Sequence, residues 1–269
     1  MANTRLILIR HGHSNAQEVG RVTDHDTCTG LSPQGRAQAV LLAQRFHATG
    51  ELGEADVIYT SFLLRAQETA EVLSQGSGSF SVVKECAFCE LHPGEANGMT
   101  WVDMVARWPA QGDKDDPYRR RLPGMETWSE MALRVGTRLR ALADERPGQT
   151  TVVVGSGGTV GSSLVALGDL PISKLVPLTR ATRNTSITEW TLVPTAGNSS
   201  ASTTRLTSSD DPHNPDSSQP AETPHKSNHG SAARAARRDN EKAVRSSGVS
   251  ECSGSSPRRL NTRGPACSA

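Results

Sequence analysis

"VVVGSGGTV", Val152 to Val160, and "LILIRHGHSN", Leu6 to Asn15, share one pattern: an apolar run, a tight turn and the start of a helix. A short aliphatic run closed by a glycine turn and followed by polar, helix-compatible sequence marks a strand buried on both faces of a parallel sheet. The two corners differ in chemistry. One carries the imidazole of His11, the other only the hydroxyl of Ser156.

Further runs of the same kind lie at 56–61, 81–85 and 186–192, besides those at 5–10 and 150–155, and segments of helical period separate them. That alternation predicts a three-layer α/β/α sandwich with a largely parallel central sheet. In "LSPQGRAQAVLLAQRF", Ser32 is the expected N-cap and Pro33 the first helical residue, with Ala39, Leu42, Ala43 and Phe46 on one stripe. "ETWSEMALRVGTRLRALADER" repeats the pattern with Trp128, Met131, Ala132, Val135, Leu139 and Leu142, leaving Glu130, Arg134 and Arg138 on a solvated face. Between these helices, at about 92–124, the periodicity weakens into Gly, Pro, two Trp and "PYRRRLPG". This reads as a lid inserted over the sheet edge, where open α/β sheets bind ligands.

The 269 residues are only 35% hydrophobic, and the shortage is local. From Thr195 onward there is no Phe, Trp, Tyr or Ile, and 16 of 75 residues are serine. Such a segment cannot offset its ordering entropy, so the folded domain is expected over 4–194, with a disordered Ser/Arg-rich tail over 195–269. Formal net charge is +1, which indicates no nucleic-acid surface, and the arginine pairs in "ARRD" and "SPRRL" read as solvated. No run reaches the roughly 18 apolar residues of a membrane span. Five cysteines without a regular framework fit reduced thiols, and the expected location is cytoplasmic.

Four strand ends converge on one crevice and carry the chemistry. Arg10 and His11 suit a phosphate: a guanidinium grips two oxygens, and a neutral imidazole attacks phosphorus. Arg65 falls in the first turn of a helix, where a cation opposes the macrodipole unless an anion lies between them. Glu90, in "FCELHPGEANGMTW", is a carboxylate placed to donate a proton. Attack by His11 requires its ring to open onto a pocket shared with both guanidinium groups.

Together "LIRHG" with Ser14, "LSPQGRAQA", "TSFLLRAQETA", "CELHPGEANG" and "PGMETWSEMALR" resemble the histidine phosphatase superfamily, with its phosphoglycerate-mutase-like fold, over roughly residues 5–192. The resemblance implies a metal-independent and cofactor-free phosphomonoester hydrolase acting on a small phosphorylated metabolite. His11 becomes phosphorylated, Arg10 and Arg65 hold the phosphoryl oxygens, and Glu90 protonates the leaving alcohol. Gln17, where the family usually has asparagine, and Ser156 and Gly157 are implied phosphate contacts. Ser156 stands where the family carries its second histidine, and His92 is a possible substitute for it. From that serine follows a second reading, an impaired pseudophosphatase that binds a phosphorylated ligand or partner; a third, a mutase-type phosphotransferase, would use Arg119, Arg120 and Arg121 for a second anion, though three adjacent arginines cannot all face inward. A serine hydrolase is disfavoured, because the elbow needs glycine at Val154 and every later histidine lies in the tail. "GSGGTVG" has G-x-G-x-x-x-G spacing, which is not the dinucleotide fingerprint. Whether the protein is a monomer or a dimer is not legible.

Overall fold

The apolar run after Arg5 forms the strand at the centre of the protein. In the computed structural model, residues 2–207 are described except 54, 56, 78–79, 110–111 and 196–197, with backbone alone at 77, 194–195 and 198–207. The chain runs through β1 (Thr4–Arg10), α1 (Asn15–Glu18), α2 (Pro33–Thr49), β2 (Val57–Thr60), α3 (Leu64–Ser77) and β3 (Ser81–Lys84). It continues through α4 (Trp101–Arg107), α5 (Trp128–Glu145), β4 (Thr150–Gly155), α6 (Gly157–Leu167), α7 (Leu175–Ala181), β5 (Ile187–Thr195) and β6 (Asn198–Thr207). The sheet order is β3-β2-β4-β1-β5-β6; the first four strands are parallel, β5 pairs antiparallel with β1, and β6 pairs antiparallel with β5. This is the expected three-layer sandwich with a largely parallel sheet.

Alternation along β1 assigns its side chains to two cores. Leu6 and Leu8 join Val153, Trp190 and the inner stripes of α5 and α6, whereas Ile7 and Ile9 join Val152, Val154, Ile58 and the stripes of α2 and α3. Helix α2 starts as its sequence dictates: the Ser32 hydroxyl accepts from the Gly35 amide at 3.1 Å, and Pro33 follows as the first helical residue. Trp190 is fully buried, and its indole N–H donates to Ser163 Oγ at 3.0 Å, which satisfies its one polar atom.

Three expectations are corrected. The folded part does not stop at residue 194, since β5 runs to Thr195 and pairs with β6 at 198–207, inside the stretch read as tail. An antiparallel edge strand needs only backbone donors and acceptors, so its serines and threonines carry no apolar signal. The rest of that tail, from 208 on, lies outside the described residues. Arg134 is not simply solvated, as shown below. Cys28 and Cys89 are free and buried, but Cys86 is disulfide-bonded, which departs from reduced thiols throughout.

The insertion at 92–124 holds a short helix, α4, and its own small core of Ala96, Met104, Leu122 and Met125. It packs on the loop after α1 through Val22 N–H to Met99 O and Gly98 N–H to Val22 O, both 2.8 Å. Among the described residues, no helix is long and apolar enough to cross a membrane.

The loop after β1 is clasped by the first turn of α2. A Cβ at Gly35 would lie 1.9 Å from the His13 carbonyl oxygen, and one at Gly12 would lie 2.4 Å from the Gly35 carbonyl oxygen. Both contacts are to backbone, so no side chain can yield. Gly35→Ala is therefore expected to destabilise the fold by about 3 kcal/mol, read as a lowered denaturant midpoint; an unchanged midpoint would refute the clasp.

Candidate active site

Parallel pairing sets Arg10 opposite Gly155, and the His11 amide donates to the Gly155 carbonyl at 2.9 Å. The histidine is thus anchored by backbone where β1 and β4 end together. Its ring is held at both nitrogens. Nδ1 lies 2.7 Å from the Gly12 carbonyl oxygen, and Arg65 Nε donates to Nε2 at 3.1 Å. A guanidinium only donates, so Nε2 carries the lone pair and the ring proton belongs to Nδ1, which donates to Gly12. Burial, then Arg65, then Arg10 hold the His11 pKa well below the ordinary 6.5. The result is a neutral imidazole with its basic nitrogen facing a guanidinium. His11 as a whole is only 4% exposed, less open than direct attack requires, and Arg65 donates to its Nε2.

Arg65 is itself buried at the start of α3. Its Nη1 donates to Thr23 Oγ1 at 2.8 Å and lies 3.5 Å from Cys28 Sγ, and no carboxylate pairs with it among the described residues. A buried cation with only neutral partners is costly, and an incoming anion removes that cost. Helix α3 is tied to the histidine loop by Thr69, whose hydroxyl donates to the Arg65 carbonyl and accepts from the Gly12 amide at 3.2 Å. Arg10 donates from Nη1 to the Thr182 carbonyl beyond α7.

Glu90 reaches the same crevice from the insertion side. The Leu91 amide donates to its Oε1 at 3.0 Å and the Gly158 amide, in the first turn of α6, to its Oε2 at 3.3 Å. A Cβ at Gly158 would meet Glu90 Oε1 at 2.2 Å, so the glycine makes room for the carboxylate. Arg134 props this loop: Nη1 donates to the carbonyls of Cys86, Ala87 and Cys89, while Nε and Nη2 grip Glu126 at 2.9 and 2.7 Å.

The remaining candidates have other duties. Ser156 is 1% exposed and caps α6: its hydroxyl accepts from the Thr159 amide at 3.3 Å, and Thr159 Oγ1 accepts from the Ser156 amide at 3.1 Å. Gly157 lies against the Thr179 carbonyl, with no space for a side chain. Gln17 is the third residue of the α1 capping box, accepting from the Ser14 amide at 3.1 Å, and pairs amide to amide with Asn184. His92, the possible substitute, is held by other partners. Its Nδ1 is 3.2 Å from Asp24 Oδ2 and its Nε2 is 3.6 Å from Cys86 Sγ. Burial opposes the charge on Asp24, yet hydrogen bonds from His92 and from the His25 amide bring its pKa down from 3.8 to about 2. Sequence reasoning passed over Asn184, whose side-chain N–H donates to the His11 carbonyl at 2.9 Å, and Thr23.

An α/β sheet that sets a neutral histidine against a buried arginine at the carboxyl ends of its parallel strands is an anion-binding architecture. Residues 6–200 match the histidine phosphatase superfamily (branch 1), and the chain belongs to that family. It is 26% identical over 165 residues to a metal-independent phosphoserine phosphatase of Arabidopsis thaliana, covering 58% of this chain and 66% of the relative. It is 28% identical over 186 residues to a 2,3-bisphosphoglycerate-dependent phosphoglycerate mutase of Parvibaculum lavamentivorans, covering 66% and 86% of the two chains. The fold is shared with a mycobacterial glucosyl-3-phosphoglycerate phosphatase in complex with VO3, at TM-score 0.61 and 24% identity, over 75% of this chain and 98% of that one.

The histidine geometry makes a titration prediction. A depressed pKa means the folded state resists protonation, so His11 adds stability above about 6.5 that is lost as pH falls through its folded value. Nitrogen-15 NMR is expected to report the Nδ1–H tautomer and a midpoint below 6.5, moving upward in Arg65→Met. A midpoint at or above 6.5 in the parent protein would refute the electrostatic picture.

Proposed function

We propose that the protein is a metal-independent phosphatase, hydrolysing a small phosphomonoester through a phosphohistidine at His11. The observation that carries this reading is the neutral His11 imidazole, with its lone pair on Nε2 and Arg65 Nε set against it. Arg65 must give up Nε2 for the lone pair to act. A phosphoryl group entering the crevice offers its oxygens in exchange, and charge-assisted bonds to phosphate are stronger than the bond to a neutral ring.

The steps then balance. His11 Nε2 attacks phosphorus as the bond to the alcohol oxygen breaks, Arg10 and Arg65 hold the non-bridging oxygens, and Glu90 gives its proton to the leaving alkoxide. Water next attacks the phosphohistidine, Glu90 takes the proton back, and Nε2 is restored. The guanidinium groups supply the positive charge that the transition state requires. Hydrolysis is favoured over mutase transfer because the body is short and the insertion lacks the mutases' longer signature.

One observation favours the slower reading. Ser156, which the family resemblance sets at the place of a second histidine, has its hydroxyl in the α6 cap, and His92 is paired with Asp24 instead. Loss of one preorganised donor costs about 3–4 kcal/mol, on the order of 100- to 1000-fold in rate.

With p-nitrophenyl phosphate and EDTA, the protein is expected to turn over slowly and to yield an acid-labile phosphoenzyme. His11→Ala is expected to abolish both, and Ser156→His to raise kcat. Undiminished activity in His11→Ala would remove the mechanism. A parent that binds inorganic phosphate without any turnover would instead support the pseudophosphatase.

A further inference from the structure

The ladder between β1 and β5 ends with Ile9 opposite Ile187, yet the chain just ahead of β5 stays on β1. The Arg10 amide donates to the Ser186 carbonyl at 3.1 Å, and the Thr185 amide donates to the Arg10 carbonyl at 3.0 Å. Between these bonds the backbone turns sharply, because Thr185 has φ +56°, in the left-handed region. A β-branched residue is a steric outlier there, where glycine is at no disadvantage. Thr185 is buried, and its hydroxyl donates to the Asn184 carbonyl at 2.7 Å. Backbone strain of this kind persists only where the surroundings over-determine it, and it clusters at functional sites.

The strained turn places Asn184, whose side chain is 1% exposed with the rest of the residue. Its Nδ2 donates to the His11 carbonyl at 2.9 Å and lies 3.3 Å from Gln17 Oε1, while its Oδ1 accepts from Gln17 Nε2 at 3.3 Å. The bond to His11 does not touch the ring. It holds the peptide unit that joins His11 to Gly12, and the amide of that same unit donates to Thr69 Oγ1 at 3.2 Å. Gly12 has no side chain to restrict its own dihedrals, so the unit is fixed by these two partners. Gly12 then presents its carbonyl to the ring Nδ1 at 2.7 Å. We propose that Asn184 is a positioning residue for the reaction at His11: by clamping the His11–Gly12 peptide it keeps the ring proton on Nδ1 and aims the Nε2 lone pair. This rests on the phosphohistidine reading of the site. A lone pair aimed wrongly slows attack without weakening the hold on the phosphoryl oxygens, which belongs to the arginines.

The test uses three variants. Asn184→Ala and Asn184→Leu both remove the donor, the second without opening a cavity. With p-nitrophenyl phosphate, kcat is expected to fall on the order of 10- to 100-fold with KM nearly unchanged, and nitrogen-15 NMR of His11 is expected to show a mixture of tautomers in place of Nδ1–H alone. A packing defect by itself would leave the tautomer as it is. Asn184→Asp keeps the shape and supplies the rescue, since a neutral acid donates to the His11 carbonyl and an ionised one does not. Its kcat relative to the parent protein is expected to rise as pH falls and to exceed that of Asn184→Ala, whose ratio stays flat. Should the Ala and Leu variants fail to fold, this pH dependence carries the test. An unchanged kcat with an unchanged tautomer, or an Asp variant that never rises above the Ala variant, would overturn the role. If the parent protein turns nothing over, the hydrolase reading fails separately, and the His11 tautomer in the same variants decides whether Asn184 positions the ring.

Discussion

The protein depends on the parallel pairing of β1 with β4, which ends with Arg10 opposite Gly155 and the His11 amide on the Gly155 carbonyl. From that point the chain leaves β1 toward α2 on one face of the sheet and leaves β4 toward α6 on the other. The divergence opens a crevice without any residue being removed to make it. Register is locked from both sides, because Leu6 and Leu8 belong to one core and Ile7 and Ile9 to the other. Sliding β1 by one residue exchanges the two sets. Aliphatic packing thus fixes the register that brings the His11 amide to the Gly155 carbonyl.

Around this fixed point the structure spends stability to hold charge. Arg65 is buried against Thr23, Cys28 and a neutral imidazole, which accept from its Nε and Nη1 without neutralising it. The same desolvation that makes this costly depresses the His11 pKa and keeps the ring uncharged. Glu90 is placed in the opposite way, by two backbone amides and by Arg134, which anchors the preceding carbonyls from the far side. Arg65 and Glu90 are thus held by different means, the one by side chains and the other by backbone amides.

Much of this was legible in the sequence wherever local rules and packing agree. The cap of α2, the buried stripe of α5 and the strands of the sheet follow from Ser32-Pro33, helical periodicity and short aliphatic runs. The rest required spatial partners. Arg134 falls on the solvated side of a helical wheel, yet a neighbouring turn supplies three carbonyls for it. Strand β6 has backbone pairing and little apolar content. Ser156 follows a strand and precedes a helix, and that local geometry makes it a cap before it is anything else. Asn184 reaches His11 from a loop far along the chain, and no motif announces it.

On the proposed reading, the serine puts a demand on the rest of the crevice. A site lacking one donor to the phosphoryl group stabilises its transition state less, and binding energy from a remote part of a substrate compensates only if it fixes the reacting group rather than tightening the ground state. The groups around His11 are tied to one stretch of chain: the Thr182 carbonyl accepts from Arg10, the Asn184 side chain donates to the His11 carbonyl, and the Thr179 carbonyl packs on the glycine that opens α6. A displacement of the segment between α7 and β5 therefore reaches Arg10, His11 and the start of α6 together.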